Sequence, residues 1–309
     1  MVTKIKPKAL GPGAHIRIVS PASPITPEKN ARGLQLLEDQ GYSTSIGDHA
    51  YDSHYYLAGN DRDRAADLMA AFTDDSVDCV FCARGGYGCA RLLPYLDLDV
   101  IANSGKAFCG FSDVTTLHLA LNKRGLVTLH TPMLITLSVD REPWVIESFL
   151  NILKGENPIP SEAKRAETIT SGSAGGEITG GCMCLITDSI GTANSIDCKD
   201  KIVIIEDVEE APHRVDAMLT HLLNTGQLQS AAGIVFGEMT GTDEKADPTI
   251  GPWPWKEIIR DRVANLGIPA MMDFPFGHMK TMLSIPFGVQ AEMNADSGTL
   301  KILESHCSG

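Results

Sequence analysis

Short apolar runs alternate with stretches of helical periodicity through the first 130 residues, and this alternation restricts the possible folds more than any single motif does. Residues 15–20, 42–46, 79–83, 107–110 and 126–128 read as strands. Residues 28–40 (closed by Gly41), 61–72, 114–124 and a short segment about 89–95 read as helices. Strands that each feed a helix pair in parallel through crossovers, and such a sheet must be covered on both faces.

After a helix-like stretch at 142–154, the chain becomes polar and rich in small residues from Pro158 to Gly176, the composition of a linker. Beyond it, strands at 202–205, 233–236 and 270–274 mix with helices at 214–224 and 255–266. A hairpin closes the chain, 289–293 against 299–303, turning at Asp296-Ser-Gly298. The expected class is α/β: an N-terminal flavodoxin-like parallel sheet with helices on both faces, plus a C-terminal mixed β/α domain. The expected division is 1–155, a linker at 156–176, and 177–309.

Composition removes several function classes. With 309 residues and 43% hydrophobic content, the chain can bury a large core. A formal net charge of −13 opposes a nucleic-acid partner, which requires a basic surface to neutralise phosphates. No apolar stretch is long enough to span a bilayer, so no membrane association is expected. The N-terminus is basic but meets Gly11-Pro-Gly13 without an apolar core segment, so no secretory signal is read and a cytoplasmic location is expected. Eight cysteines suit a reducing compartment, and Cys79, Cys82, Cys109, Cys182 and Cys184 lie in or beside apolar stretches as small hydrophobes. Cys79-Val-Phe-Cys82 has zinc-like spacing but no second pair at a suitable distance, so neither a metal nor a cofactor is expected.

The chemistry concentrates at Lys106-Ala-Phe-Cys-Gly-Phe-Ser-Asp-Val-Thr-Thr-Leu-His-Leu-Ala-Leu121, where an apolar run stops at Gly110, offers Ser112 and turns at once into a helix. This is the outline of a nucleophile elbow, although Val114 stands where G-x-S-x-G has its second glycine; an ordinary helix-capping serine fits the same pattern. A serine nucleophile needs a base, and the base needs an orienting partner. Glu206 ends the apolar run Lys201-Ile-Val-Ile-Ile-Glu206, with Asp207, Glu209 and Glu210 beside it as competing carboxylates. His278 lies in the loop Phe274-Pro-Phe-Gly-His278, with His130 as its competitor. Cys109, a rival nucleophile, precedes the elbow glycine and is expected to point inward. Arg84-Gly-Gly-Tyr-Gly88 lets backbone approach a ligand closely but lacks the ending of a phosphate-binding loop.

These landmarks, in this order, resemble the LD-carboxypeptidase family of serine peptidases, which includes muramoyltetrapeptide and microcin-immunity carboxypeptidases. The matching segments are Leu10-Gly-Pro-Gly with Ile18-Val-Ser-Pro-Ala22, Tyr56-Leu-Ala-Gly-Asn60 with Arg64-Ala-Ala-Asp-Leu68, Arg84-Gly-Gly-Tyr-Gly88 and Gly110-Phe-Ser-Asp113. They continue through His130-Thr-Pro-Met133, Gly180-Gly181, Ile205-Glu-Asp-Val-Glu-Glu210, Gly277-His278 and Ile285-Pro-Phe-Gly288. The resemblance implies Ser112 as nucleophile, His278 as general base and acid, Glu206 as its orienting carboxylate, and an oxyanion hole from the backbone N–H groups of Gly86 and Asp113. It also implies an active site in the cleft between the domains and a homodimer.

The implied activity is metal-free serine carboxypeptidase action on a small peptide, releasing a C-terminal D-residue from murein tetrapeptide during peptidoglycan recycling. Alternatives are a microcin-immunity-like amidase on peptidyl-nucleotide or acyl-sulfamoyl adenylate substrates, a binding protein without turnover, and an α/β-hydrolase esterase with the same triad order. Candidate substrate contacts are Arg84, Tyr87, Thr131 and Cys182; Arg84 could hold the terminal carboxylate or merely satisfy loop carbonyls. Departures from the family pattern cluster at such positions: Phe111 for tyrosine, Thr131 for glycine, Cys182 for asparagine, and His213 and Ala217 for tyrosine and arginine.

Overall fold

The computed structural model describes residues 3–249 and 251–308, and the chain divides into two compact units. The first comprises residues 1–160, 284–288 and 305–309; the second comprises 161–283 and 289–304.

In the first unit the expected alternation is present: β1 (His15–Val19), α1 (Pro27–Asp39), β2 (Ser43–Ile46), α2 (Asp61–Thr73), β3 (Cys79–Cys82), α3 (Leu98–Asn103), β4 (Ala107–Gly110), α4 (Thr115–Asn122), β5 (Thr128–His130), α5 (Leu134–Leu137) and α6 (Pro143–Leu153). The five strands pair in parallel in the order β2-β1-β3-β4-β5, the flavodoxin-like arrangement. Alternate strand residues face opposite layers. Ile16, Ile18, Cys79, Phe81, Ala107 and Cys109 bury one face against Leu37 of α1, Leu134 and Leu137 of α5, and Phe149 of α6. On the other face, Phe108 packs on Phe72 of α2 and on His118 of α4, with ring centroids 5.8 and 5.4 Å apart.

Two features of this unit differ from the expectation. The fifth strand is shifted along the chain from 126–128, which places His130 inside it. A late segment, Ile285–Phe287, adds an antiparallel edge strand beside β5, with Ile285 opposite His130.

In the second unit, β6 (Glu167–Thr170), β7 (Ser173–Cys182), α7 (Met183–Ser189), β8 (Lys201–Val208), α8 (Pro212–Asn224), β9 (Gly233–Thr240), α9 (Trp255–Val263) and β10 (Ala270–Met272) follow in chain order. With the edge strand Ile285–Phe287 counted as β11, the hairpin strands are β12 (Gln290–Asn294) and β13 (Thr299–Ile302). The mixed sheet has the order β13-β12-β7-β8-β9-β10-β6, parallel from β7 to β10. The polar segment read as a linker therefore contains β6 and the start of β7. Its small residues are strand residues: a Cβ on Gly176 would stand 2.7 Å from the Asp200 carbonyl oxygen. Among the described residues no helix is long and apolar enough to cross a membrane.

The tightest approach in this sheet lies between β7 and β8. Gly180 has φ +138°, and a Cβ there would lie 1.8 Å from the Ile204 carbonyl oxygen. A backbone oxygen cannot swing aside as a side-chain end can. Gly180→Ala is therefore expected to cost on the order of 3 kcal/mol or more in urea unfolding, whereas Gly191→Ala, also at positive φ but with nothing within 4 Å, should cost much less.

Candidate active site

In the first unit, the loops that follow β1, β3 and β4 meet at the carboxyl ends of the strands, where open α/β sheets place their sites. β4 ends at Gly110, whose carbonyl accepts from His118 Nε2 at 2.9 Å. Burial pushes His118 down to about 4, so it stays neutral, and its Nδ1 accepts from Thr128 Oγ1 at 2.8 Å. Phe111 is extended, and Ser112, at φ +64°, opens a 3₁₀ turn that leads into α4. A non-glycine residue in the left-handed region costs about 1–3 kcal/mol and persists where its surroundings hold it. Val114 explains why one glycine suffices: a Cβ on Gly110 would lie 3.0 Å from a Val114 methyl and 3.1 Å from Cys82 Cβ, so the close packing is met from the strand side.

The Arg-Gly-Gly-Tyr-Gly loop lies directly against this serine. A Cβ on Gly85 would stand 2.7 Å from Ser112 Cβ and 2.9 Å from its Oγ. The loop is held by Ser23, whose N–H donates to the Gly85 carbonyl and whose Oγ accepts from Tyr87 N, both at 3.3 Å. Asp113 fastens the loop to the elbow, its Oδ2 accepting from Cys89 N at 2.7 Å. That commits the Asp113 side chain and leaves its backbone as what it can offer a ligand. Arg64, buried in α2, donates to the carbonyls of Pro21 and Gly88 and pairs with Asp61 at 2.5 Å. Arg64, Ser23 and Gly85 have no role in the sequence reading, although the paired glycines of the loop signalled the close approach.

The competitors on this side separate cleanly. Cys109 is buried with its Sγ 3.7 Å from that of Cys79, pointing inward as expected. His130 is fully buried, its ring edge-on to Phe111 at 5.6 Å and 5.4 Å from that of Phe287. Arg84 donates to the Pro24 carbonyl at 3.1 Å through Nη1. Tyr87 is half exposed and meets Tyr56 edge-on at 5.9 Å, while Thr131 is buried with its N–H on the Gly110 carbonyl at 3.2 Å.

In the second unit, the sequence-predicted carboxylate and histidine come together. β8 continues past Glu206 to Val208, with a register shift against β9 between Ile205 and Asp207. A bulge of this kind re-aims a side chain and is frequent beside active sites; here Glu206 and Asp207, consecutive residues, are both buried. The segment carrying His278 is laid on β9 through Phe274 N to the Phe236 carbonyl at 3.1 Å and Glu238 N to the Phe276 carbonyl at 3.3 Å. Gly237 and Gly277 allow this, since a Cβ on either would strike the Phe276 carbonyl oxygen at 2.1 Å or Glu206 Oε2 at 2.6 Å.

His278 Nδ1 lies 2.7 Å from Glu206 Oε2. Burial disfavours the imidazolium, but the charge and hydrogen bond of Glu206, with Asp207 behind, outweigh it and hold His278 above its ordinary value. The other carboxylates are engaged elsewhere. Asp207 accepts from Cys184 N at 2.9 Å and Val208 N at 2.8 Å, and burial together with the Glu206 charge pushes it up to about 6. Glu210 faces Arg214 at 3.8 Å and Glu209 faces Lys245 at 3.6 Å. Cys182, paired in register with Glu206, is buried. Among the described residues, two groups have metal-ligand spacing: His49, Asp52 and Asp63 near the surface, and Cys182, Cys184 and Asp207.

An α/β scaffold with a strained serine after a parallel strand, and a buried carboxylate on a partly exposed imidazole, carries the parts a hydrolase uses, and the comparisons give the family. Residues 16–131 match the LD-carboxypeptidase N-terminal domain and residues 175–293 the LD-carboxypeptidase C-terminal domain. The chain belongs to the LD-carboxypeptidase family and is, by that membership, a carboxypeptidase. It is 35% identical over 302 residues to a Bacillus subtilis protein named "Probable murein peptide carboxypeptidase", covering 96% of this chain and 94% of the relative. To the murein tetrapeptide carboxypeptidase of Pseudomonas aeruginosa it is 28% identical over 296 residues, covering 91% and 93%. The muramoyltetrapeptide carboxypeptidase structure from Oxalobacter formigenes superposes with a TM-score of 0.82 at 27% identity, covering 94% of this chain and 99% of that one. The microcin C7 self-immunity protein MccF, in complex with aspartyl sulfamoyl adenosine, shares the fold with a TM-score of 0.86 at 22% identity, covering 98% and 99%.

The electrostatics of the His278 pair can be read without an activity assay. NMR titration of the His278 ring is expected to give a pKa above 6.5 in the wild type. In Glu206→Gln the charge is lost while burial remains, so the value should fall below that of the wild type; an unchanged value would mean that Glu206 does not hold the proton.

Proposed function

We propose that this chain is a serine-type LD-carboxypeptidase that hydrolyses the L,D peptide bond of a murein tetrapeptide and releases its C-terminal D-residue, as in peptidoglycan recycling. The observation that carries the reading is the 2.7 Å contact between the buried Glu206 carboxylate and Nδ1 of the partly exposed His278. The contact engages Nδ1, so the proton transfers are assigned to Nε2. In this reading Ser112 Oγ attacks the carbonyl carbon while His278 Nε2 takes its proton. Backbone N–H groups of Gly86 and Asp113 receive the developing oxyanion, and His278 then returns the proton to the departing amine of the D-residue. Water attacks the resulting acyl-enzyme by the same route, freeing the shortened peptide and restoring Ser112.

The left-handed backbone of Ser112 and the close approach of Gly85 support the nucleophile assignment, because an ordinary helix-capping serine requires neither. Relatives named for murein peptides match nearly the whole chain at 35% and 28% identity, which favours that substrate over peptidyl-nucleotides.

Ser112→Ala is expected to lower kcat by about 10³- to 10⁶-fold with the fold intact, the usual consequence of removing a triad nucleophile. EDTA should leave the wild-type rate unchanged; strong inhibition by the chelator, or an active Ser112→Ala protein, would overturn the serine mechanism. Substrate class is tested by kinetics on paired diastereomers. A peptide ending in L-lysyl-D-alanine or L-diaminopimelyl-D-alanine should exceed its all-L isomer in kcat/KM by at least about 10²-fold, the scale of a misplaced reacting group. Equal rates on the two isomers would reject the L,D specificity even with the serine mechanism intact.

A further inference from the structure

Cys182 ends β7, Cys184 lies in the first turn of α7, and the bend between them brings the two sulfurs to 3.3 Å. Asp207 of the neighbouring strand completes the group, its Oδ1 3.4 Å from Cys182 Sγ. All three ligand atoms lie within 4.8 Å of one another. From this convergence we propose that Cys182, Cys184 and Asp207 form a binding site for a thiophilic divalent cation of the zinc class, and that filling it inhibits the enzyme.

The geometry is close to what such an ion requires. A tetrahedral zinc about 2.3 Å from each sulfur and about 2.0 Å from a carboxylate oxygen sets sulfur and sulfur about 3.8 Å apart and sulfur and oxygen about 3.5 Å apart. The sulfurs need only separate slightly, and the spacing of Cys182 Sγ from the Asp207 oxygen already fits. Two thiolates and one carboxylate are a soft donor set that selects zinc or cadmium over magnesium or calcium. Charge also balances: one dication enters, the two thiol protons leave to solvent, and the net charge of the site does not change. Cys182 and Asp207 are buried while Cys184 is partly exposed, so the ion enters past Cys184, and a water can fill the fourth position.

The link to activity is one of position. Asp207 follows Glu206 in β8, and Cys182 is the register partner of Glu206 across the sheet. An ion that ligates Asp207 and Cys182 at once, and parts the two sulfurs, clamps β7 to β8 at the residue that holds His278. The inhibition arm rests on the role proposed for Glu206; the binding arm does not.

The test uses the full chain, kept reduced and stripped of metal. Calorimetric titration with Zn²⁺ should show one ion per chain, and Co²⁺ should give the absorption bands of a tetrahedral thiolate site. Cys184→Ala is expected to weaken Zn²⁺ binding at least about tenfold, the scale of losing part of a metal's coordination environment. Asp207→Asn, which can still accept from the Cys184 N–H, should weaken it as well. In peptide hydrolysis, Zn²⁺ should lower the wild-type kcat, EDTA should restore it, and Cys184→Ala should hydrolyse like the wild type and resist Zn²⁺. Absence of stoichiometric binding, or binding unaltered in both variants, would overturn the site. Binding with full activity retained would overturn the inhibition alone, and equal inhibition of wild type and Cys184→Ala would assign it to another ion site.

Discussion

A carboxylate with no exposed surface governs the second unit. Taking an ion of that size out of water costs several kcal/mol unless a partner meets it, and at Glu206 the partner is one imidazole nitrogen 2.7 Å away. Oε1 is buried with no hydrogen-bond partner among the described residues, so the pairing rests on Oε2. The bulge in β8, the side-chain-free approaches of Gly237 and Gly277, and the pinning of the Phe274–His278 segment to β9 all bring the ring to that oxygen. The same burial raises Asp207, which shares the low-dielectric surroundings and feels the neighbouring charge.

The first unit solves a steric problem with hydrogen bonds. Ser112 occupies a backbone conformation that β-carbon residues avoid, and its surroundings hold it there from several directions. His118 fixes the end of β4, Val114 closes on Gly110, and Asp113 ties the elbow to the Arg-Gly-Gly-Tyr-Gly loop. Arg64 holds that loop and the one after β1 through their carbonyl oxygens, with Asp61 facing its charge. The motifs along the chain thus include residues that shape loops as well as residues that could react.

Much of this was open to a reading of residues alone. The helix–strand alternation over residues 15–124 led directly to the parallel sheet, because periodicity reports which face of an element is buried. Ser112, Glu206 and His278 could be singled out because each follows an apolar run or sits in a glycine–proline loop. By residue type and position four carboxylates and two histidines compete, and packing gives them different surroundings. His130 lies inside β5, Asp207 caps backbone N–H groups, and Glu209 and Glu210 face Lys245 and Arg214.

What the sequence determined by itself was therefore the class of fold and a short set of candidate residues for the chemistry, since both follow from local spacing and side-chain type. Tertiary structure decided the rest. The pairing of Ile285–Phe287 beside β5 and the strands within residues 167–176 depend on partners a hundred or more residues away, which no local pattern encodes. The strained backbone of Ser112, the register shift at Glu206 and the convergence of Cys182, Cys184 and Asp207 likewise exist only once strands lie side by side. Each is a distance between residues, and distances of that kind are set by the packing of the whole unit.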